Sequence, residues 1–346
     1  MCKDNNNNNY ALVTGASSGI GREFAIQLAR MGYPLILVAR REKRLERLAR
    51  LLREHYGTES VVLAADLSTS EACYELFDRI GDRQLALVVN DAGFGDCSRF
   101  EDGDADKELA MVDVNVKAMH LVFKLSLQKM LRQGQDRCES MADRHESMPD
   151  RCGSTPGRYE SVPERCESTS DRRSPLVKSE RKEVCTDSES AEATRECRHG
   201  CKKNQGKSLG CSCMVSGRIL NVASSAGLLP AGPYMATYYA TKSYVASLTQ
   251  AVAEEQREAG TGIYVGCLCP GPVDTEFDQV ANVHFSLPGI TARECVAYAL
   301  QQMYCGQTVI VPGVMMRMGV FASRFVPRRA LVRMAGSQQK RKMREP

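Results

Sequence analysis

The sequence lacks any hydrophobic run that approaches the ~18–20 residues of a membrane span. Its first residues, MCKDNNNNNY, contain no apolar segment of the kind found in signal peptides. It also has little net charge, +4 over 346 residues, which gives no indication of a nucleic-acid partner. These absences predict a cytoplasmic protein without a membrane span, although the C-terminal part is locally basic.

A disulfide framework is also missing, although the chain has fifteen cysteines. The total is odd, and eight of the cysteines lie between Cys138 and Cys213, in a segment of unusual composition. The other seven are scattered and show no framework spacing. This distribution argues against a secreted, disulfide-stabilised scaffold.

That unusual segment, residues 135–214, carries a seven-residue repeat that reads approximately DRCESMP. The repeat places arginine at Arg137, Arg144, Arg151, Arg158, Arg165 and Arg172. No two positions of the unit are consistently apolar and prolines recur, which argues against a coiled coil. Few apolar residues and many Ser, Arg, Glu and Pro predict a disordered insert, best interpreted as an expanded surface loop.

Two functions of the insert stay open at this point. Its R-x-x-S units could accept phosphate. A group of soft ligands near its end could bind zinc, namely Cys197, His199, Cys201, Cys211 and Cys213. The spacing of this group matches no common zinc module, so no metal site is predicted.

Without the insert, about 266 residues remain, the size of one domain. We therefore divide the chain into five segments. These are an Asn-rich disordered tail (1–9), a cofactor half (10–134), the insert (135–214), a catalytic half (215–315) and a basic C-terminal extension (316–346).

The two halves alternate short apolar, β-branched runs with helix-length patterns. The runs are 10–14, 34–39, 60–64, 85–89, 218–222, 263–268 and 307–311, and the clearest helical patterns are 19–31, 41–54, 70–80 and 104–133. Continuous apolar runs are typical of parallel strands that are covered on both faces. The pattern predicts a single-domain α/β fold of the Rossmann type, a doubly wound, seven-stranded parallel sheet with helices on both faces. Ligands of such sheets bind beyond the carboxyl ends of the strands.

The first strand is followed there by TGASSGIG, residues 14–21, which leads into the first helix. Glycines at this place allow a tight turn and let a pyrophosphate approach the amides of the helix N-terminus. The spacing is G-x-x-x-G-x-G rather than G-x-G-x-x-G. A dinucleotide site is indicated because the motif lies between a strand and a helix.

The second strand ends in Ala39 and is followed by Arg40 and Arg41, with no carboxylate before Glu42. NAD sites usually have a carboxylate here for the ribose hydroxyl, whereas an arginine accommodates the additional phosphate of NADP. Basic residues at a helix N-terminus also oppose the helix dipole, which a bound phosphate would compensate. The sequence therefore favours NADP(H) over NAD(H).

The stretch YMATYYATKSY, residues 234–244, has four tyrosines and one lysine, Lys242. Residues four apart lie on one face of a helix, and a nearby cation lowers the pKa of a phenol. Spacing thus favours Tyr238 as a reactive phenol, with Tyr239 second. On this stretch alone, tyrosines that merely pack in a helix are the better interpretation.

In order along the chain, these motifs resemble those of the short-chain dehydrogenase/reductase family, most of all its DltE-like group. The resemblance rests on TGASSGIG (14–21), NDAG (90–93), Asn115 in DVNVKA, the serine pair 224–225, Y-x-x-x-K (238–242) and PGPVDT (270–275). It covers residues 10 to about 312 apart from the insert. One departure is Asp91, where the family usually has asparagine, and weakened local bonding is expected there.

The resemblance implies a role for each matching residue. Tyr238 would be the general acid/base, and Lys242 would lower its pKa and hold the nicotinamide ribose. The family places its serine 13 residues before the tyrosine, which selects Ser225 over Ser224, and Asn115 would hold a water that links Lys242 to solvent. The implied cofactor contacts are Gly15, Ser17, Ser18, Gly19, Ile20, Gly21, Arg40, Arg41, Asp66, Leu67, Asn90, Ala92, Gly93, Tyr238, Lys242, Pro270, Gly271, Val273 and Thr275.

The predicted activity is interconversion of a carbonyl and an alcohol with NADP(H), in a homodimer or homotetramer. A lipophilic substrate is indicated by candidate pocket residues, which are Phe94, Leu228, Leu229, Tyr234, Met235, Phe277 and Phe285. An alternative is a non-catalytic NADP-binding protein whose insert recruits partners. A second alternative, compatible with catalysis, is weak contact of the basic C-terminus with a membrane surface. The substrate and the direction of reaction stay open.

Overall fold

A computed structural model describes residues 9–146, 217–277, 281 and 289–342. Most of the predicted Asn-rich tail and of the predicted insert lies outside these residues, as do the cysteine and histidine zinc candidates and Phe285. The described residues up to 140 and from 217 onward belong to one compact unit.

Its first half alternates strands and helices. The elements are β1 (Asn9–Thr14), α1 (Gly19–Arg30), β2 (Leu35–Ala39), α2 (Glu42–Tyr56), β3 (Ser60–Ala64), α3 (Ser70–Ile80), β4 (Gln84–Asn90), α4 (Ala105–Val112), a π-helical turn (Asp113–Ala118) and α5 (Met119–Glu146). The single helical pattern predicted over 104–133 is thus three consecutive segments. The helix also continues beyond the start of the predicted insert, because the first prolines of the repeat come later in the sequence.

The second half completes the sheet. Its elements are β5 (Gly217–Val222), a 3₁₀ turn (Ser225–Leu228), α6 (Ala236–Glu258), β6 (Ile263–Leu268), β7 (Val273–Asp274), β8 (Ile290–Thr291), α7 (Ala292–Tyr304), β9 (Val309–Ile310), α8 (Val314–Ala322), a second 3₁₀ turn (Ser323–Phe325) and α9 (Arg328–Lys342). Among the described residues, none of these helices combines the length and apolar content that a membrane crossing requires.

The seven predicted strands form one parallel sheet in the order β3-β2-β1-β4-β5-β6-β9, which confirms the Rossmann-type fold. The strands β7 and β8 pair separately. Because β1 has β2 on one side and β4 on the other, the strand order reverses at its carboxyl end. A crevice opens at such a reversal, and this is where ligands bind in folds of this type.

Alternate residues of the strands enter two separate cores, one on each face of the sheet. Val13 and Leu37 pack on one face with Phe24 of α1. Leu12 and Ile36 pack on the other face with other helices of the chain. Side chains of a strand point alternately to opposite faces, so a continuous apolar run places apolar side chains in both cores. This is why the sequence shows uninterrupted runs rather than alternation.

Candidate functional site

A cavity of about 470 Å³ lies at the carboxyl ends of the strands, within the usual size range of ligand sites. It brings together most of the predicted cofactor contacts. Those that line it are Gly15, Ser17, Ser18, Gly19, Ile20, Arg40, Arg41, Asp66, Leu67, Ala92, Gly93, Tyr238, Lys242, Pro270, Gly271, Val273 and Thr275. The exceptions are Gly21 and Asn90, which do not line the cavity.

Asn90 is a structural link between strands rather than a cavity residue. Its side-chain oxygen accepts a hydrogen bond from Thr14 Oγ1 at 3.2 Å. Its Nδ2 donates to the Met119 carbonyl at 2.9 Å and to Asn221 Oδ1 at 3.4 Å. The side-chain polar atoms of Asn90 are thus bonded to β1, β5 and the start of α5, and its contact with a cofactor stays a prediction.

The glycine-rich turn between β1 and α1 has the shape of a phosphate cradle. Gly15 and Gly19 have φ angles of +69° and +54°, which only glycine adopts readily. A Cβ atom on Gly21 would lie 2.6 Å from the Gly15 carbonyl oxygen, so the turn closes tightly onto the helix. The amides of Gly19 and Ile20 open helix α1 in this turn, and a dinucleotide pyrophosphate fits amides at such a helix N-terminus.

The guanidinium of Arg41 lies over this turn. It donates to Ser17 Oγ at 3.0 Å and to Ser18 Oγ at 2.6 Å. Glu276 forms ion pairs with Arg41 at 3.2 Å and Arg44 at 2.8 Å, and these arginines lower the pKa of its carboxyl. Sequence reasoning missed Glu276, although it directly follows the PGPVDT motif. The Glu276 carboxylate is thus already paired with Arg41 and Arg44 at the edge of the cavity.

Tyr238 and Lys242 lie on one face of α6, as their spacing predicted. Both side chains are buried. The Lys242 ammonium donates to the Val222 carbonyl at 2.9 Å and lies 5.9 Å from the centre of the Tyr238 ring. Tyr239 also lines the cavity, and its hydroxyl accepts a hydrogen bond from Gln339 Nε2 at 3.0 Å. The two adjacent tyrosines therefore have different partners.

The serine that hydrogen-bonds Tyr238 is Ser224. The same Ser224 Oγ accepts from the Ala226 amide at 3.2 Å. Ser225 lines the cavity too, but it begins the 3₁₀ turn and its amide donates to the Pro270 carbonyl at 2.8 Å. Both serines line the cavity, so Ser225 stays the predicted catalytic serine and Ser224 is a second candidate.

Burial raises the pKa of Tyr238 to about 12, and the hydrogen bond with Ser224 acts in the opposite direction. Burial also lowers the pKa of Lys242, while the Asp91 carboxylate acts against that change. The net direction at Tyr238 is thus upward, because burial disfavours the charged phenolate. The role of Lys242 in lowering this pKa stays a prediction.

Asn115 is buried in the π-helical turn and holds two parts of the site together. Its Oδ1 accepts from the Phe94 amide at 3.0 Å, and its Nδ2 donates to the Phe94 carbonyl at 2.8 Å and to Thr241 Oγ1 at 3.2 Å. Asn115 does not line the cavity. The water that the resemblance implies at Asn115 stays a prediction.

Asp91 is the departure in the NDAG motif, and the structure places it between the glycine-rich turn and Lys242. The Gly21 amide donates to its carboxylate, and Lys242 is its main charged neighbour. Burial nevertheless raises the pKa of Asp91 to about 7, against the influence of Lys242 and of the Gly21 amide. The weakened local bonding expected at Asp91 is not found at the Gly21 amide. Compared with an asparagine, the Asp91 carboxyl places an additional titratable group beside Lys242.

The remaining wall of the cavity is mostly apolar. Four predicted pocket residues line it: Phe94, Leu229, Met235 and Phe277. Two others, Leu228 and Tyr234, do not: Leu228 packs against a core, and Tyr234 lines a second, small cavity. The rings of Tyr238 and Phe277 are 5.5 Å apart.

The C-terminal helices contribute cavity residues that sequence reasoning missed. Met316 of α8 and the pair Gln338 and Gln339 of α9 line the cavity. Gln339 is only 3% exposed. The segment 316–346 had been predicted as a basic extension, and no local signal distinguishes these residues. Their place depends on contacts with parts of the chain that are distant in sequence.

Comparison with known proteins agrees with this arrangement. The family model described as short chain dehydrogenase matches residues 9–138 and 210–284. An uncharacterized oxidoreductase of Staphylococcus saprophyticus is 34% identical over 125 residues, which are 36% of this chain and 53% of that protein. The inactive hydroxysteroid dehydrogenase-like protein 1 of Rattus norvegicus is 30% identical over 125 residues, 35% of this chain and 38% of that protein. The matched segments thus span about half or less of these relatives.

Solved structures show the same fold along nearly the whole chain. A short-chain dehydrogenase from Sphingobium yanoikuyae in complex with NADPH has a TM-score of 0.62 at 22% identity, covering 92% of this chain and 93% of that one. A short-chain dehydrogenase/reductase from Burkholderia phymatum in complex with NAD has a TM-score of 0.61 at 20% identity, covering 90% and 92%. At such identities the likeness concerns the fold alone.

Proposed function

Because the chain belongs to the short-chain dehydrogenase family, we propose that it is an oxidoreductase that interconverts a carbonyl and an alcohol with NADP(H). One observation carries the proposal. Buried Tyr238 and Lys242 line, together with Ser224 and Ser225, the cavity that the glycine-rich turn also lines. A donor of this kind, held where an alkoxide would form, is what carbonyl reduction requires.

Each residue has a proposed role. Tyr238 donates its proton to the substrate oxygen during reduction and removes it during oxidation. Ser225 hydrogen-bonds the same substrate oxygen, with the adjacent Ser224 as the alternative, while Lys242 holds the cofactor ribose and returns a proton to the phenol. Asn115 positions the loop at Phe94 and the helix at Thr241. When bound, a nicotinamide cofactor supplies or accepts the hydride.

The preference for NADP(H) is supported by charge at the edge of the cavity. Arg40 and Arg41 line the cavity, and Arg41 is held by two serine hydroxyls next to the place of the ribose. No carboxylate ends β2. Glu276 pairs with Arg41 and Arg44, and a ribose phosphate would compete with Glu276 for these guanidiniums.

The substrate is proposed to be lipophilic, in a protein of the DltE-like group. Apolar side chains cluster around Tyr238 with Met111, Met235 and Phe277 among them. Gln339 is a polar side chain at this end of the cavity. A carbonyl compound with a large apolar body fits such a wall.

The test is a screen of aliphatic and aromatic carbonyls with NADPH, followed by absorbance of the reduced nicotinamide. Tyr238→Phe should lower turnover by about 10²–10⁴ and leave NADPH binding intact, as measured by cofactor fluorescence. Tyr244→Phe is the matched control, because Tyr244 lies on the same helix but is exposed and bonds His120. Near-normal reduction by Tyr238→Phe would refute the assignment.

A second candidate is a protein that binds NADP without catalysis, since one relative is described as inactive. Binding of NADPH with no turnover of any carbonyl, in a protein with intact Tyr238 and Lys242, would favour it. Recruitment of partners by the insert concerns residues outside those described. The dimeric or tetrameric state and the cytoplasmic location are likewise proposals.

A further inference from the structure

An unusual surface lies on α8 and the 3₁₀ turn that follows it. Its apolar side chains are Val314, Met315, Met318, Phe321 and Phe325, which are 61–82% exposed. Their spacing keeps them on one side of the helix, and the rings of Phe321 and Phe325 are 5.4 Å apart. We call this set the tail surface. Single exposed apolar residues are ordinary, whereas five together on one short segment indicate a binding surface.

Helix α8 also has an inner apolar side. Met316 and Val320 pack against the core of the unit. The helix is therefore apolar on both sides, and its position does not depend on burial of the tail surface. Arg317 fixes it further, because its guanidinium donates to the Tyr298 hydroxyl at 3.0 Å.

The charge around the tail surface has one sign. Residues 313–342 contain no Asp or Glu. They contain eight basic residues, namely Arg317, Arg324, Arg328, Arg329, Arg333, Lys340, Arg341 and Lys342. The first five of these, Arg317 to Arg333, are exposed, so protruding apolar side chains lie among guanidiniums.

We propose that the tail surface binds an anionic lipid bilayer, with Met315, Met318, Phe321 and Phe325 inserted among the lipids. Basic residues beside an apolar helix face favour the interface of such membranes, because cations meet lipid headgroups while apolar side chains enter the hydrocarbon. None of the described helices could cross the membrane, so the segment lies on the surface.

Other occupants fit less well. A second copy related by two-fold symmetry would bring this basic surface against an identical one, and like charges would repel. A nucleic acid would use the arginines but would leave the large apolar side chains without a partner. A fluid bilayer accepts separate protruding side chains and supplies the opposite charge.

The position of the tail surface also bears on the proposed function, and this part of the inference rests on that proposal. Met316, on the inner side of the same helix, lines the cavity, as do Gln338 and Gln339 of α9. A lipophilic carbonyl dissolved in the bilayer would therefore meet the cavity next to the segment that holds the protein on the membrane.

The test is sedimentation of the full-length protein with vesicles, which needs no turnover and so can fail independently of the proposed activity. One set of vesicles contains phosphatidylcholine only, and a second contains phosphatidylserine in addition. Binding is expected to the second set, and it should fall as salt shortens the screening length from ~10 Å at 0.1 M to ~3 Å at 1 M. Equal binding to both sets, or no binding, would overturn the proposal.

The variant with Phe321→Asp and Phe325→Asp should bind the phosphatidylserine vesicles at least about tenfold more weakly. Phe100→Asp is the matched control, because Phe100 is 70% exposed and lies outside the tail surface. Thermal melting and NADPH binding show whether each variant is folded. If the double variant changes the oligomeric state and still binds vesicles like the unaltered protein, a second copy is the occupant and the proposal is wrong.

Discussion

Adjacent residues in this site are distinguished by their partners, as the two tyrosines of α6 show. Tyr238 hydrogen-bonds Ser224 close to Lys242, whereas Tyr239 accepts from Gln339. Helical spacing was sufficient to rank Tyr238 above Tyr239, because only a four-residue step brings the phenol onto the face of Lys242. The serine pair lies on an irregular turn, where no periodicity exists, so helical spacing cannot rank Ser224 against Ser225.

Ser224→Ala should reduce turnover far more than Ser225→Ala. Loss of the Ser224 hydroxyl removes the hydrogen-bond partner of the Tyr238 phenol, which should lower kcat by about 10²–10³. The Ser225 side chain has no such bond to Tyr238, so its loss should change kcat by less than about tenfold. Steady-state rates of the two variants on one substrate decide the question. A larger loss of kcat in Ser225→Ala than in Ser224→Ala would identify Ser225 as the serine that bonds the substrate oxygen.

Asp91→Asn should change how stability depends on pH. Burial raises the pKa of Asp91 to about 7 from 3.8, so the folded protein holds this proton more tightly than the unfolded chain. The resulting stabilisation is complete below pH ~4 and is lost as the pH rises through ~7. Asn is neutral at every pH and can still accept from the Gly21 amide.

The melting temperature of Asp91→Asn should therefore rise relative to the unaltered protein between pH 5 and pH 8. Melting followed by circular dichroism at several pH values measures this difference. A difference that is the same at both ends of the range would show that Asp91 is already ionised at pH 5.

At the scale of elements, the strands were predictable and the C-terminal helices were not. Each sheet strand carries its own signal, a short, mostly apolar run, and β4 lies where the run 85–89 predicted it. Gln339 bonds Tyr239 across 100 residues of sequence. Nothing in the local sequence of this basic helix indicates that Gln339 has such a partner. The sequence therefore predicts a basic extension where the structure has α9.

The first turn of α2 is the element on which cofactor choice should depend. Arg41→Ala should weaken NADPH binding by at least about tenfold and leave NADH binding nearly unchanged, because only NADPH carries the additional phosphate. Arg47→Ala is the matched control, since Arg47 lies on the same helix and donates only to the Lys43 carbonyl. Titration of cofactor fluorescence gives both affinities, and equal losses for the two cofactors would contradict the assignment.

At the scale of the whole molecule, the two halves of the chain join across β4 and β5. Gly217 at the start of β5 lies against the Met130 side chain of α5. At 1.5 Å per residue, Gly134 is only ~6 Å further along that helix, whereas Glu146 is ~24 Å away. A short join from Gly134 to the residues before β5 is therefore sterically simple.

Deletion of residues 135–214 with a short Gly/Ser join should leave a protein that unfolds cooperatively and binds NADPH. All seven strand positions and the cavity residues lie outside the deleted segment. Denaturant unfolding followed by circular dichroism, together with cofactor titration, measures the outcome. Loss of a cooperative transition would show that the segment is part of the folded unit.

The distance in sequence between β4 and β5 also has a consequence in time. Strand β4 ends at Asn90 and its partner β5 begins at Gly217, about 126 residues later. At ~5–20 residues per second, a ribosome needs roughly 6–25 s to make the intervening chain. During this interval one edge of β4 is unpaired and can pair with strands of other chains. Such pairing leads to aggregation, which chaperones normally prevent. Each additional repeat unit lengthens the time for which the edge of β4 is unpaired during synthesis. The tolerated length of the segment therefore depends on the nascent chain as well as on the folded protein.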